Sequence, residues 1–373
     1  MQKSFPRVFY FPVVLEVKMK LRLLTYFICL IGACLSCACG KRKMTPDDEK
    51  TALAIVEKYD QAQYAGDLSA MLDRADELLD FSSRFEMDEM SRSVRVLGWL
   101  RRGETYLELE QPERAEADYD AIIRETNVYR ELIRAYIAKI LLRTQSNCKL
   151  EGRVEDFAKT VFDMLDEVKK KKQYQEDPEL QSEFLAHYGD LVFVYGMYLQ
   201  LQTHEYDRAE KLYLDYFTQF KTDEEFLRVY FMAPVLYYYL AHVYRKKKDF
   251  VREEVWLKRS LELTVGNKKV AAYPGIFLRN AGCAIRAGDF NKALEYCDRG
   301  LQLKPYFPSM AFKQLYYDML WTGKEMIYRR MGQQEKAKEC AGRIRGKLNS
   351  DQQEELQVFL FFLGSIPRPL GRL

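Results

Sequence analysis

From the segment MTPDDEK (44–50) onward, apolar positions return every three or four residues, and strand-type alternation never settles in. Val154, Phe157, Val161, Met164 and Val168 show the spacing well: they form one stripe along a helix, with polar residues between them. MTPDDEK itself reads as a helix entry, with acids placed in the first turn. Three polar joints share one chemistry, AGDLSAM (65–71), KKDFVRE (247–253) and AGDFNKA (287–293). The pattern predicts an all-α chain of helix after helix, joined by short turns.

A second regularity lies above the helical period. In WLRRGETYLELEQPERAEADY (99–119), two short helices meet at a Gln-Pro turn. Gly103 and Ala115 are small enough for the helices to approach, and Trp99, Tyr106 and Tyr119 fill the groove around that contact. Residues four apart share a helix face, so Trp99 lies beside Gly103 and Ala115 beside Tyr119. The interval recurs: an aromatic stands sixteen residues before a small residue at Trp99/Ala115, Phe193/Ala209, Phe277/Ala293 and Trp321/Ala337. Tyr237 keeps the interval with Glu253 in the small-residue place.

This pattern resembles the tetratricopeptide (TPR) repeat, whose 34-residue unit carries these residues at these places. Arg102 stands where the family has Leu, which predicts a weaker contact there. The spacings from Glu253 to Ala293 and from Ala293 to Ala337, 40 and 44 residues, are longer than the family's. The extra residues fall in TVGNKKVAAYPG and KPYFPSMAF, outside the conserved pair. Between Ala115 and Ala209 a divergent pair is expected at roughly 130–143 and 154–171. The resemblance implies a right-handed superhelical solenoid of stacked antiparallel helix pairs, about seven in number, over residues 45–346.

The N-terminus carries a different signal. Within MKLRLLTYFICLIGACLSCACGKRK (19–43), Lys20 and Arg22 precede an apolar run from Leu23 to Ala33. That run is too short to span a bilayer but suits a signal peptide. Its end resembles a bacterial lipoprotein signal, in which a Cys after small residues is acylated and becomes the mature N-terminus. Cys34, after Ile-Gly-Ala, fits best; Cys39, after Cys-Ala and before GKRK, is the second candidate. Residues 1–39 are thus expected to be an upstream extension and signal, and 347–373 a tail. An ordinary secretory signal or an uncleaved anchor is the alternative.

Composition narrows the function. Basic and acidic residues nearly balance, 58 against 55, which gives no reason to expect nucleic acid as a partner. His187, His204 and His242 never form a metal-binding spacing, and no second CxxC accompanies Cys34-x-x-Cys37. Motifs for an acyl nucleophile, a phosphate cradle or a dinucleotide turn are missing, so no enzyme, cofactor or metal is expected. The runs KKKK (169–172) and RKKK (245–248) sit at helix ends, where cations meet the negative end of the dipole. Cys283 and Cys297 read as reduced core thiols, and Glu116 as part of a solvated face.

The expected function is a membrane-tethered scaffold in the periplasm or at the outer-membrane face, binding a peptide or protein in a concave groove. By analogy with the family, Tyr198, Tyr238, His242, Arg245, Met326 and Arg329 line that groove. Two other readings stand beside it: a periplasmic sensor module related to a signalling receptor, and a carbohydrate-binding lipoprotein using the Tyr-rich groove.

Overall fold

The computed structural model describes residues 41–145, 153–266, 273–303 and 310–345. Cys34, Cys39, the upstream extension and the tail at 347–373 lie outside the described residues. Among the described residues there are sixteen helices and no strand, only one isolated parallel bridge between Arg42 and Phe85.

Fourteen of the helices form seven antiparallel pairs. They are α1 (Pro46–Ala65) with α2 (Leu68–Ser83), α3 (Glu89–Glu108) with α4 (Pro112–Glu125), and α5 (Tyr129–Gln145) with α6 (Val154–Lys169). After the short α7 (Lys172–Glu176) come α8 (Pro178–Leu201) and α9 (Tyr206–Phe217), then the short α10 (Asp223–Val229). The last three pairs are α11 (Ala233–Lys246) with α12 (Phe250–Gly266), α13 (Pro274–Arg286) with α14 (Phe290–Gln302), and α15 (Met310–Arg330) with α16 (Gln334–Ala341). The divergent pair expected between Ala115 and Ala209 is α5 and α6.

Local chemistry sets the boundaries. Thr45 caps α1 in a reciprocal box: Asp48 accepts the Thr45 amide at 2.8 Å, and the Thr45 hydroxyl accepts the Asp48 amide at 3.4 Å. The turn inside six of the pairs passes through one left-handed residue, at Gly66, Glu110, His204, Lys248, Gly288 and Gly332 (φ 58° to 79°). In five of these turns the following residue donates its amide five positions back, as Asp67 does to Ala62, Gln111 to Tyr106, Asp249 to Tyr244, Asp289 to Ala284 and Gln333 to Tyr328. This closure satisfies carbonyls that the helix end leaves open. The backbone therefore repeats its turn where the side chains repeat their register.

The small-residue contacts are made as the spacing requires. Ala115, Ala209, Ala293 and Ala337 are each fully buried, as are Tyr119 and Phe277, with Tyr237 nearly so. A methyl on Gly103 would come within 2.5 Å of the Tyr119 ring. The same meeting recurs in the fourth pair, where Gly196 faces Tyr213. Trp99, Tyr106, Phe193 and Trp321 are only partly buried and cover the edges of these contacts. In α6, Val154, Val161 and Val168 are buried together with Ala158 and Leu165, while Phe157 and Met164 pack at the side.

Two sequence expectations need correcting. Arg102 does not weaken its contact: its guanidinium takes both Asp118 oxygens at 2.9 and 2.6 Å and reaches Asp76 at 2.8 Å, tying α3 to α4 and α2. Glu116 is not solvated: it is held by Lys139 at 3.1 Å and by Arg143, both on α5.

Each second helix also packs on the first helix of the next pair, so the pairs stack. One apolar core runs from Ile133 on α5 to Ile327 on α15, and smaller clusters serve the pairs before it. First helices approach one another along the stack, α3 to α5, α5 to α8, α8 to α11 and α13 to α15. Among the described residues no second helix packs comparably on the next second helix. Helix α15 also comes back into contact with α1, so the two ends of the stack meet.

Candidate functional site

Side chains join each first helix to the next along one wall of the stack, and each seam has its own chemistry. Between α1 and α3, the Tyr59 hydroxyl donates to the Arg101 carbonyl at 3.1 Å and Arg101 reaches Asp60 at 3.1 Å. Between α3 and α5, the Ser93 hydroxyl donates to Glu131 at 3.3 Å. Arg130 on α5 meets Glu183 on α8 at 3.2 Å. Phe193 on α8 meets Tyr239 on α11 edge to face at 5.5 Å. Arg279 on α13 lies 4.7 Å over the Tyr238 ring of α11, and Phe277 meets Tyr316 of α15 at 6.4 Å.

The six residues expected to line a groove are spread along this wall with unequal access. His242 and Arg245 lie together on α11, one turn apart and partly exposed. Burial, with Arg279, Lys246 and Arg245 adding positive charge, holds the His242 imidazole well below the usual histidine range, so it is neutral. Burial and the neighbouring Arg279 likewise lower the Arg245 pKa. Arg245 reaches Glu253 of α12 at 3.5 Å, and Arg286 of α13 reaches the same carboxylate at 3.4 Å. On α15, Met326 is half-buried, while Arg329 is exposed and paired with Glu325 at 2.6 Å.

Tyr238 departs from the expected exposure, while Tyr198 is half-buried like His242. Tyr238 is only 2% exposed, because Tyr239, Tyr273 and Arg279 enclose its ring and its hydroxyl end lies against Gly275. Tyr198 turns toward α6: its hydroxyl donates to Glu155 at 3.3 Å, and its ring stacks on Tyr195. The accessible part of the wall is thus Tyr198, His242, Arg245, Met326 and Arg329, with Arg286 added by the structure. The signal for Arg286 was present in the sequence, since a Glu in the small-residue place at 253 requires cations nearby.

A separate cleft of about 260 Å³ lies between α9, α10 and α12, lined by Phe217, Phe220, Tyr237, Asp223 and Arg259. Its polar groups already serve each other. Arg259 donates through Nε to both Asp223 oxygens at 2.8 and 3.1 Å, and the Tyr237 hydroxyl donates to Asp223 at 2.8 Å. The arrangement ties the connector before α11 to α12.

No described cluster of His, Cys, Asp or Glu has the geometry to hold a metal ion. Cys283, Cys297 and Cys340 are free thiols, and burial pushes the Cys283 and Cys297 pKa values up to about 11 and about 12. No described helix is long and apolar enough to cross a membrane. The chain matches no protein-family model and no curated protein in sequence.

Proposed function

We propose that the protein is a membrane-tethered scaffold of the TPR kind, which holds a peptide or protein partner against the wall of its first helices. One observation carries this reading. Among the described residues, first helices approach one another closely at four of the six steps along the stack, and second helices do so at none. A stack whose one layer is closer-packed than the other bends toward that layer. The first helices then lie on the concave side, and solenoids use that surface because successive repeats present aligned side chains along it. The return of α15 to α1 fits such a bend continued to nearly a full turn. A right-handed superhelix is the sense that the family resemblance carries.

The anchor is Cys34 or Cys39, acylated at a bacterial lipoprotein signal and holding the domain at the periplasmic or outer-membrane face. Several acyl chains, at about 0.8 kcal/mol per buried CH2, make such a tether firm. Scaffolding is preferred to catalysis because the open wall residues His242, Arg245, Met326 and Arg329 contain no nucleophile paired with a base.

A cross-linking pull-down from cells tests the reading. Replacing His242 and Arg329 together with Ala removes one half-buried and one exposed wall side chain, and the melting temperature shows whether the core is disturbed. Loss of a discrete partner with unchanged melting supports a binding wall. Retention of every partner by the double variant contradicts it.

A further inference from the structure

His187 lies on α8, buried to 5% exposure, one turn after Glu183, the residue that meets Arg130 across the seam between α8 and α5. Its ring stands between two carboxylates of its own helix. Nε2 is 3.9 Å from Glu183, one turn before it, and Nδ1 is 3.8 Å from Asp190, one turn after. Neither ring nitrogen has a hydrogen-bond partner. Both distances are too long for a hydrogen bond but close enough for charge to act.

The geometry discriminates between the two protonation states. A neutral imidazole carries one N–H and one lone pair. In this sandwich the lone pair faces a carboxylate oxygen, acceptor against acceptor, and a buried polar atom in that position is costly. The imidazolium presents an N–H to each side. Glu183 is also the residue through which Arg130 of α5 reaches α8, at 3.2 Å. The charge on His187 therefore bears on the contact that joins the two first helices.

We propose that His187 is a proton-operated latch on the α5–α8 seam, closed when the imidazole is charged and loosened when it is neutral. The surrounding groups are consistent with this assignment. From α5 comes Arg130, through Glu183; from α7, Tyr174 lies against Phe184. From α9, the Tyr216 hydroxyl donates to the Leu185 carbonyl at 2.8 Å, and Tyr230, just after α10, raises no charge of its own but lies near Asp190. On α6 the nearest charges, Asp166 and Lys169, act on Tyr188, while α11 presents Tyr239 to Phe193. Burial pushes the His187 pKa down, but Asp190 and Glu183 outweigh it and leave the pKa above the usual histidine value. A raised pKa stabilises the folded arrangement around His187, and with it the Glu183 end of the seam, fully below the unfolded value of about 6.5, and that stabilisation is lost as pH rises through the folded pKa.

Two readings on the full-length protein test this. Histidine-selective NMR gives the His187 pKa directly, with His187→Gln assigning its signal against His204 and His242. Hydrogen exchange of 129–145 and 178–201, corrected for intrinsic rate, reports seam opening across the same pH range. The pKa is expected above 6.5. Opening is expected to rise with pH, by at most about tenfold for each unit of that excess, the limit reached when opening also releases His187 from Glu183 and Asp190. Asp190→Asn is expected to lower the pKa and flatten the exchange profile together. A His187 pKa below 6.5, or seam exchange that ignores pH in the wild type, overturns the proposal.

Discussion

Glu253, with no exposed surface, holds Arg245 at 3.5 Å and Arg286 at 3.4 Å, and so joins three helices of two successive pairs. It occupies the place that Ala115, Ala209, Ala293 and Ala337 fill in other pairs. A carboxylate is tolerable there only because cations from α11 and α13 meet it; isolated, its burial would cost several kcal/mol. Glu253→Ala restores the small residue but leaves two arginines without this partner. Both are partly exposed, so they keep some hydration, and the expected loss in urea unfolding is about 1–3 kcal/mol. Arg286→Ala and Glu253→Ala should be non-additive in a double-mutant cycle, because they remove the same contact.

The left-handed turns predict opposite signs for opposite substitutions. Glu110, His204 and Lys248 adopt φ values of 59°, 58° and 62°, where a side chain is strained. Lys248→Gly should stabilise the fold by about 0.5–1 kcal/mol, the relief being partly offset by the freer unfolded chain. Gly288→Ala, at φ 79°, should destabilise it by about 1–2 kcal/mol, although there is open space around the added methyl. Thermal melts of the two variants check both signs.

Close helix contacts give a third expectation. Gly103→Ala gains helix propensity of about 1 kcal/mol but drives a methyl into the Tyr119 ring. Overpacking should win, with a net loss of about 1–2 kcal/mol. Ala115→Leu should cost about 1–3 kcal/mol for the same reason. Ala117→Gln, on the exposed side of α4, is the neutral control.

Anchoring is tested by metabolic labelling with a fatty acid. The wild type should be labelled, and the Cys34→Ala, Cys39→Ala double variant should not be. Each single variant then identifies the acylated residue. Label retained by the double variant contradicts the lipoprotein assignment.

The architecture was legible where a physical requirement falls on single residues. The Trp99–Gly103–Ala115–Tyr119 register, the paired turns and the α6 stripe each follow from helical geometry, and the helices lie where these place them. What stayed hidden depends on side chains meeting across pairs. Arg102 looked like a defect because Asp76 and Asp118, its partners, are 26 and 16 residues away. Glu116 looked solvated because Lys139 and Arg143 belong to the next pair. Tyr238 looked open because Tyr273 and Arg279, which cover it, come from the entry to α13 and from α13 itself. The short α10 lacks the length to show a period, yet it places Phe226 fully in the core. For the binding wall, register located the helix face but not its access to solvent.

The central claim is that partners meet the first-helix wall, and site-specific photo-cross-linking in cells addresses it most directly. A photoreactive amino acid is placed at His242, Met326 or Arg329 on the wall, and at Glu254 or Lys258 on the exposed side of α12. The account predicts a discrete protein adduct from the wall positions and none from α12. Adducts that form from α12 alone, or equally from both faces, would contradict it.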